Sequence, residues 1–140
     1  MKSLSVKLGV ILIGLIILAN AEVWGADWKV YGETDKATFY YDTESITHPS
    51  KDVVRVWTKQ VYTEKGIIEM VGDLGEKFRT LNDSIDLREY HCVDKKYCLL
   101  YITFYSTDGE VLSTVNYSEP MWYFIVPGSI GEDIYDILCK

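Results

Sequence analysis

Histidine is almost missing from this chain: only His48 and His91 occur in 140 residues. Cysteine stops at three, Cys92, Cys98 and Cys139, and proline also at three. No CxxC or HxxxH spacing exists, so the common zinc-holding frameworks are absent. His91 adjoins Cys92, but neighbours on a strand point to opposite faces, so the imidazole is not placed to activate that thiol. The glycines show no phosphate-binding spacing. Carboxylates are numerous, yet they are scattered over turns and helix starts, which reads as a solvated acidic surface rather than a catalytic pair. The residues therefore point to a non-enzyme with no cofactor and no metal site. Basic residues are the minority, 14 against 21 acidic, and such a chain repels nucleic acid and anionic lipid surfaces.

Long apolar runs are missing too. The longest, Leu8 to Leu18, falls well short of the roughly 20 residues a spanning helix needs. It follows Lys2 and Lys7 and precedes Ala19-Asn20-Ala21, the layout of a secretory signal with small residues at the cleavage positions. The expected organisation is a signal peptide over residues 1–21 and a single domain over residues 22–140, with no stable membrane insertion after cleavage. Loss of Lys2 and Lys7 would leave 12 basic residues against 21 acidic ones, a net charge of −9. The destination is the periplasm or the outer cell surface. There paired cysteines oxidise, and three cysteines allow one intramolecular bridge and one leftover thiol.

What the domain does contain is strand-forming sequence. Trp28 to Tyr31 and Thr38 to Tyr41 read as short strands. "DTESITHPSKD" is dense in turn formers. Val53 to Tyr62 is β-branched and aromatic with no Gly or Pro, the clearest strand of the chain. Glu64 to Phe78 switches to helical spacing, with Ile67, Ile68, Val71, Leu74 and Phe78 on one side, though Gly66, Gly72 and Gly75 weaken it. "TLNDS" reads as a break, and Ile85 to Val93 as the next strand. Tyr97 to Ser106 follows, then the Asp108-Gly109 hairpin turn and Glu110 to Tyr117. Met121 to Val126 is extended and aromatic. Strict alternation in Tyr97–Ser106 puts Cys98, Leu100, Ile102 and Phe104 on one face and Tyr97, Leu99, Tyr101, Thr103 and Tyr105 on the other. Neither face is polar, so the second should be covered, by the Glu64–Phe78 helix, a second subunit or a ligand.

After Pro127-Gly128, Ser129 can cap a helix, with Glu132 closing a capping box. Ile130, Ile134, Ile137 and Leu138 form an apolar stripe. A helix this short needs its stripe buried. Cys139 in its last turn reads as a staple to a strand cysteine, and on spacing alone either Cys92 or Cys98 could be the partner.

Several segments together resemble the surface-adhesin protein E family of exported bacterial proteins. They are Trp28, "FYYDTESI", "VVRVW", "LREYHC", "KKYCLL" and, above all, "WYFIVPGSIGEDIYDILC", where Trp122, Ile125, Pro127, Ser129, Gly131, Glu132 and Cys139 match the family pattern. The resemblance implies an α+β fold: an antiparallel sheet of about six strands with a C-terminal helix packed on one face and tethered by a disulfide. It also implies that Cys92 and Cys139 are the pair, while Cys98 stands where the family tends to place a basic residue. Its founding member resembles an adhesin for host matrix proteins such as vitronectin and laminin, and by analogy alone that would be the partner class. The expected function is a non-enzymatic exported binding protein, adhesin-like. The alternative is a periplasmic small-ligand or envelope-maintenance binding module, with a secreted enzyme a distant third. Eleven Tyr and four Trp suit a contact surface. Trp57 and Trp122 are assigned to sheet packing, which leaves Tyr97, Tyr101 and Tyr105 as the candidate binding or homodimer surface.

Overall fold

The computed structural model describes residues 25–140. The expected signal segment and its cleavage site after Ala21 lie outside the described residues. Eight strands form one antiparallel sheet. They are β1 (Trp28–Glu33), β2 (Ala37–Asp42), β3 (Thr47–Ser50), β4 (Val53–Tyr62), β5 (Leu81–His91), β6 (Lys96–Ser106), β7 (Val111–Asn116) and β8 (Tyr123–Phe124). Their order is β1-β2-β4-β5-β6-β7, with β3 beside one end of β4 and β8 beside one end of β6. Helix α1 (Glu64–Leu74) joins β4 to β5 through a 3-10 turn at Glu76–Thr80, and α2 (Ile130–Cys139) follows β8. The sheet with its disulfide-tethered C-terminal helix is the α+β architecture that the resemblance implies.

Both described helices lie on the same side of the sheet. Ile67, Met70 and Val71 of α1 pack on Phe78, Leu81, Ile102 and Phe104. Ile134, Tyr135 and Leu138 of α2 pack with Val56, Tyr90 and Tyr97. The cross-strand register puts Val54, Val56 and Thr58 of β4 opposite Tyr90, Arg88 and Asp86 of β5, so these residues share the helix side. Burial of this face holds the two short helices, which would be marginal alone. Ile137, expected in the apolar stripe, is 45% exposed, because α2 meets the sheet along Ile134, Tyr135 and Leu138.

Local chemistry sets the helix ends. Thr63 caps α1 by accepting from the Gly66 N–H. Ser129 caps α2 by accepting from the Glu132 N–H at 3.3 Å. The Glu132 carboxylate accepts from Gly128 rather than from the cap residue itself, so the expected box closes one residue early. Two glycines let elements approach. A Cβ at Gly66 would stand 2.1 Å from the Lys36 carbonyl oxygen, and one at Gly32 would meet the Ile130 side chain at 2.7 Å. The Gly66 that weakens the helix reading is thus what seats α1 against the β1–β2 turn.

Three expectations are corrected. The helix stops at Leu74, since Gly75 takes a positive φ of 109°. Next, β5 begins at Leu81 and runs through Asn82, Asp83 and Ser84, where a break was read. Pairing on both sides overrides their turn preference, and Ser84 is buried with its hydroxyl 2.9 Å from the Tyr62 hydroxyl. Finally, "THPS" within the turn-rich segment forms β3 against β4.

Candidate functional site

The faces of β6 do not alternate strictly. Leu87 of β5 faces Tyr101, but the next residue, Arg88, faces Leu99. Leu100 is the extra residue of a β-bulge, and a bulge moves every later side chain to the other face. Its carbonyl accepts from the Tyr117 N–H at 3.0 Å. Tyr97 and Leu99 therefore join Ile102 and Phe104 on the helix side, while Cys98 joins Tyr101, Thr103 and Tyr105 on the far side. The expected grouping of Tyr97 with Tyr101 and Tyr105 fails for this reason. Tyr97 stacks on Tyr90, centroids 6.2 Å apart, and lies 5.8 Å from Tyr123.

Cys98 is likewise placed opposite to the strict-alternation reading. It is 0% exposed and free, across from Glu89. Burial, helped by the Glu89 charge, pushes its thiol up to about 11. Cys92 and Cys139 form the disulfide, 47 positions apart. The Tyr135 hydroxyl also donates to the Cys92 carbonyl, a second tie between α2 and the end of β5. His91 is occupied locally: its Nδ1 accepts from the Asp94 N–H at 3.1 Å, and its ring meets Trp122 edge-on at 6.2 Å. His48 is exposed on β3. Among the described residues no three His, Cys, Asp or Glu converge on a metal-sized site.

No described element covers the far side of the sheet. Residues opposite one another in the register put Trp57, Leu87 and Tyr101 in one row and Lys59, Ile85 and Thr103 in the next. Trp57 and Tyr101 meet edge-to-face at 5.9 Å. The Lys59 ammonium sits 5.5 Å above the Trp28 ring. Thr103 donates to the Tyr101 hydroxyl at 2.8 Å and lies 3.1 Å from the Thr114 hydroxyl. Arg55 grips Glu89 through two nitrogens, at 3.0 and 3.2 Å. Trp28, Trp57, Ile85, Tyr101 and Tyr105 line a shallow groove of about 400 Å³. This is an amphipathic, aromatic surface with fixed polar tips, the composition that protein contacts favour. Trp57, expected in the packed core, and Trp28 both belong to it. The signal was present in β4: Trp57 alternates with Arg55 and Lys59, two cations that mark the solvent side.

The helix side carries a second unusual feature, legible in retrospect from Asp86 and Arg88 two apart on one strand. Asp86 is fully buried; it accepts from the Thr58 hydroxyl at 2.7 Å and from Arg88 Nε. Burial works against the Arg88 charge, but the Asp86 carboxylate bonded to it outweighs burial and the guanidinium is held well above its ordinary value. Burial also raises Tyr31 and Tyr90, so both keep their protons.

Among the described residues, no helix is long and apolar enough to cross a membrane. No curated protein matches the sequence. Two solved structures of Haemophilus influenzae protein E are similar to this chain. One, crystal form II, has 13% identity and a TM-score of 0.47 over 72% of this chain and 79% of that one. The other has 12% identity and a TM-score of 0.46 over 72% and 76%. The profile of the family described as surface-adhesin protein E matches residues 28–140, nearly the whole described chain, and this protein belongs to that family.

Proposed function

We propose that this chain is a non-enzymatic, exported binding protein of the cell surface, adhesin-like, and that the open sheet face is where it contacts a partner protein. The observation that carries the reading is the half-buried aromatic set Trp28, Trp57, Tyr101 and Tyr105 lining a groove on one side of a sheet whose two described helices both pack on the other. Rigid strands hold these rings, so little side-chain entropy is lost on contact. Lys59 places a cation on this face of an otherwise acidic protein, while Arg55 is paired with Glu89; the ammonium, unpaired among the described residues, favours a partner patch carrying a carboxylate.

The test has two arms. Protease added to intact cells should remove the protein if it faces outward; survival would overturn the surface reading and favour the periplasmic small-ligand or envelope-maintenance alternative. Immobilised vitronectin and laminin are the second probe, chosen by family analogy. Binding to at least one is expected, with a loss of about tenfold or more in Trp57→Ala and Tyr101→Glu, the range of contact hot spots. Binding that both variants retain would move the contact off this face, and no binding to either protein would remove the matrix-adhesin reading.

A further inference from the structure

The helix side of the sheet is not a continuous apolar core. Between the α1 and α2 clusters, Arg88 and the buried Asp86 lie on the sheet, and two clefts meet at Arg88. One, of about 290 Å³, is lined by Tyr31, Phe39, Tyr90, Tyr97, Ile125 and Ile130 besides Arg88. The other, of about 270 Å³, lies across Tyr97, between Leu99 and Tyr123. Arg88 keeps 19% exposure, while its partner Asp86 has none.

The hydrogen-bond inventory of this site is one-sided. Among the described residues Arg88 bonds through Nε alone, to Asp86, and its two terminal nitrogens have no acceptor. Tyr90 is 0% exposed, and its hydroxyl has no hydrogen-bond partner among the described residues. The Arg88 guanidinium is the nearby donor and favours the phenolate, so what the hydroxyl lacks is an acceptor for its own proton. Buried polar atoms of native proteins are nearly always paired, so such an orphan calls for a specific explanation. Tyr31, on the wall of the same cleft, makes no side-chain hydrogen bond to a described residue either. The terminal guanidinium N–H groups can only donate, and the two phenols, which keep their protons and can also accept, each have a proton to give. The acceptors of Asp86 are already taken by Thr58 and Arg88.

An occupant must then supply acceptor oxygens. It must also be mostly apolar, because the remaining walls are Phe39, Tyr97, Ile125 and Ile130. No second cation lines either cleft, and Glu119 adds an anion to the second, which disfavours a dianionic phosphate; Asp86 bonds Nε alone, so the terminal fork of Arg88 stays open to one anionic group. A carboxylate fits: planar, singly charged and matched to the guanidinium fork. The volume is at the small end for ligand sites. We propose that the cleft at Arg88 binds a small apolar monocarboxylic acid, its carboxylate on the Arg88 terminal nitrogens and the Tyr90 hydroxyl, its hydrocarbon or aryl body against Phe39, Tyr97 and Ile130. This site is on the opposite side of the sheet from the proposed protein-contact face and does not depend on it.

The probes are benzoate and hexanoate, with benzamide and hexanamide as neutral matches, followed by two-dimensional NMR of the full mature chain. Both acids should produce saturable shifts at Tyr90 and Ile130, and the amides should bind about tenfold more weakly, as expected for loss of a charge-assisted bond. Arg88→Met should abolish the shifts. Should that variant not fold, because it leaves Asp86 buried without its partner, Tyr90→Phe carries the test. It removes only an unpaired hydroxyl, so it should fold at least as well as the wild type and bind benzoate about fivefold or more weakly. No saturable shift with either acid would overturn the proposal. So would equal binding of acids and amides, or benzoate binding unchanged by Tyr90→Phe. A tripeptide ending in Phe with a free carboxylate is a further arm: saturation by it, with neither small acid binding, would overturn the assignment to a small molecule.

Discussion

Three cysteines show how a single inserted residue decides chemistry. Strict alternation along β6 puts Cys98 with Ile102 and Phe104, on the side that α2 must pack against, and so makes it a geometric rival to Cys92. The bulge at Leu100 reverses that parity. Cys98 ends on the side away from α2, and Cys92, one residue beyond β5 and two beyond the core residue Tyr90, takes the bridge to Cys139. Nothing in the spacing marks the bulge; the pairing was legible only through family resemblance. A cross-link spanning 47 positions is worth about 4 kcal/mol in the chain-entropy model. Cys139→Ser should therefore lower stability by about 2–4 kcal/mol in urea unfolding. Because the bridge and the Tyr135–Cys92 hydrogen bond both act on α2, hydrogen exchange should rise first in residues 130–139. Uniform loss of protection across the sheet would refute a local tether. Cys98 has the opposite character. With its thiol pushed up to about 11 from an ordinary 9.0, the folded state keeps this proton longer than the unfolded chain does. Its contribution to stability is therefore complete below pH 9 and is lost as pH rises from 9 to 11. Native protein should resist iodoacetamide at pH 8, whereas denatured protein should be alkylated at Cys98 alone. Rapid native alkylation at pH 8 would show the thiol to be accessible.

At the level of elements, legibility followed the strength of the local signal. The run Val53–Tyr62 coincides with β4, and Ser129 caps α2 as the sequence suggests. The start of β5 and the whole of β3 were hidden, because Asn82, Asp83, Pro49 and Ser50 favour turns and only cross-strand partners override them. Gly66 is the sharpest case. By propensity it opposes a helix by about 1 kcal/mol against Ala; in the fold it is buried under the Lys36 carbonyl. Gly66→Ala should thus destabilise by roughly 1–3 kcal/mol despite its better helix propensity, because the neighbour is backbone and cannot swing away. Gly72, in the same helix, faces open space, so Gly72→Ala should stabilise by about 0.5–1 kcal/mol. Urea midpoints of the two variants, moving in opposite directions from the wild type, are the measurement. A stabilised Gly66→Ala would mean that α1 can lift from the β1–β2 turn without loss.

For the whole molecule, the question is what meets the open face. Of the three covers the sequence allowed, the helix is eliminated: α1 packs beside α2 on the other side. A ligand or a second copy remains, and a partner protein is the ligand proposed above. Charge separates them. Two copies, if cleaved after Ala21, would each carry a net −9, and bringing like-charged bodies together is opposed at low salt, where the Debye length is about 30 Å at 0.01 M against about 8 Å at 0.15 M. Trp57 and Tyr101 lie between Arg55 and Lys59 of one strand and the rim of β6–β7. Arg55 is already paired with Glu89, so Lys59 is the cation that this face offers to the acidic patch of a partner. The mature protein should accordingly sediment as a monomer at micromolar concentration in 0.01 M salt, with Trp57 fluorescence quenchable by acrylamide. A dimer that forms under these conditions and is lost in Tyr101→Glu/Tyr105→Glu, with circular dichroism unchanged, would assign the face to a second copy and remove it from the partner-binding role.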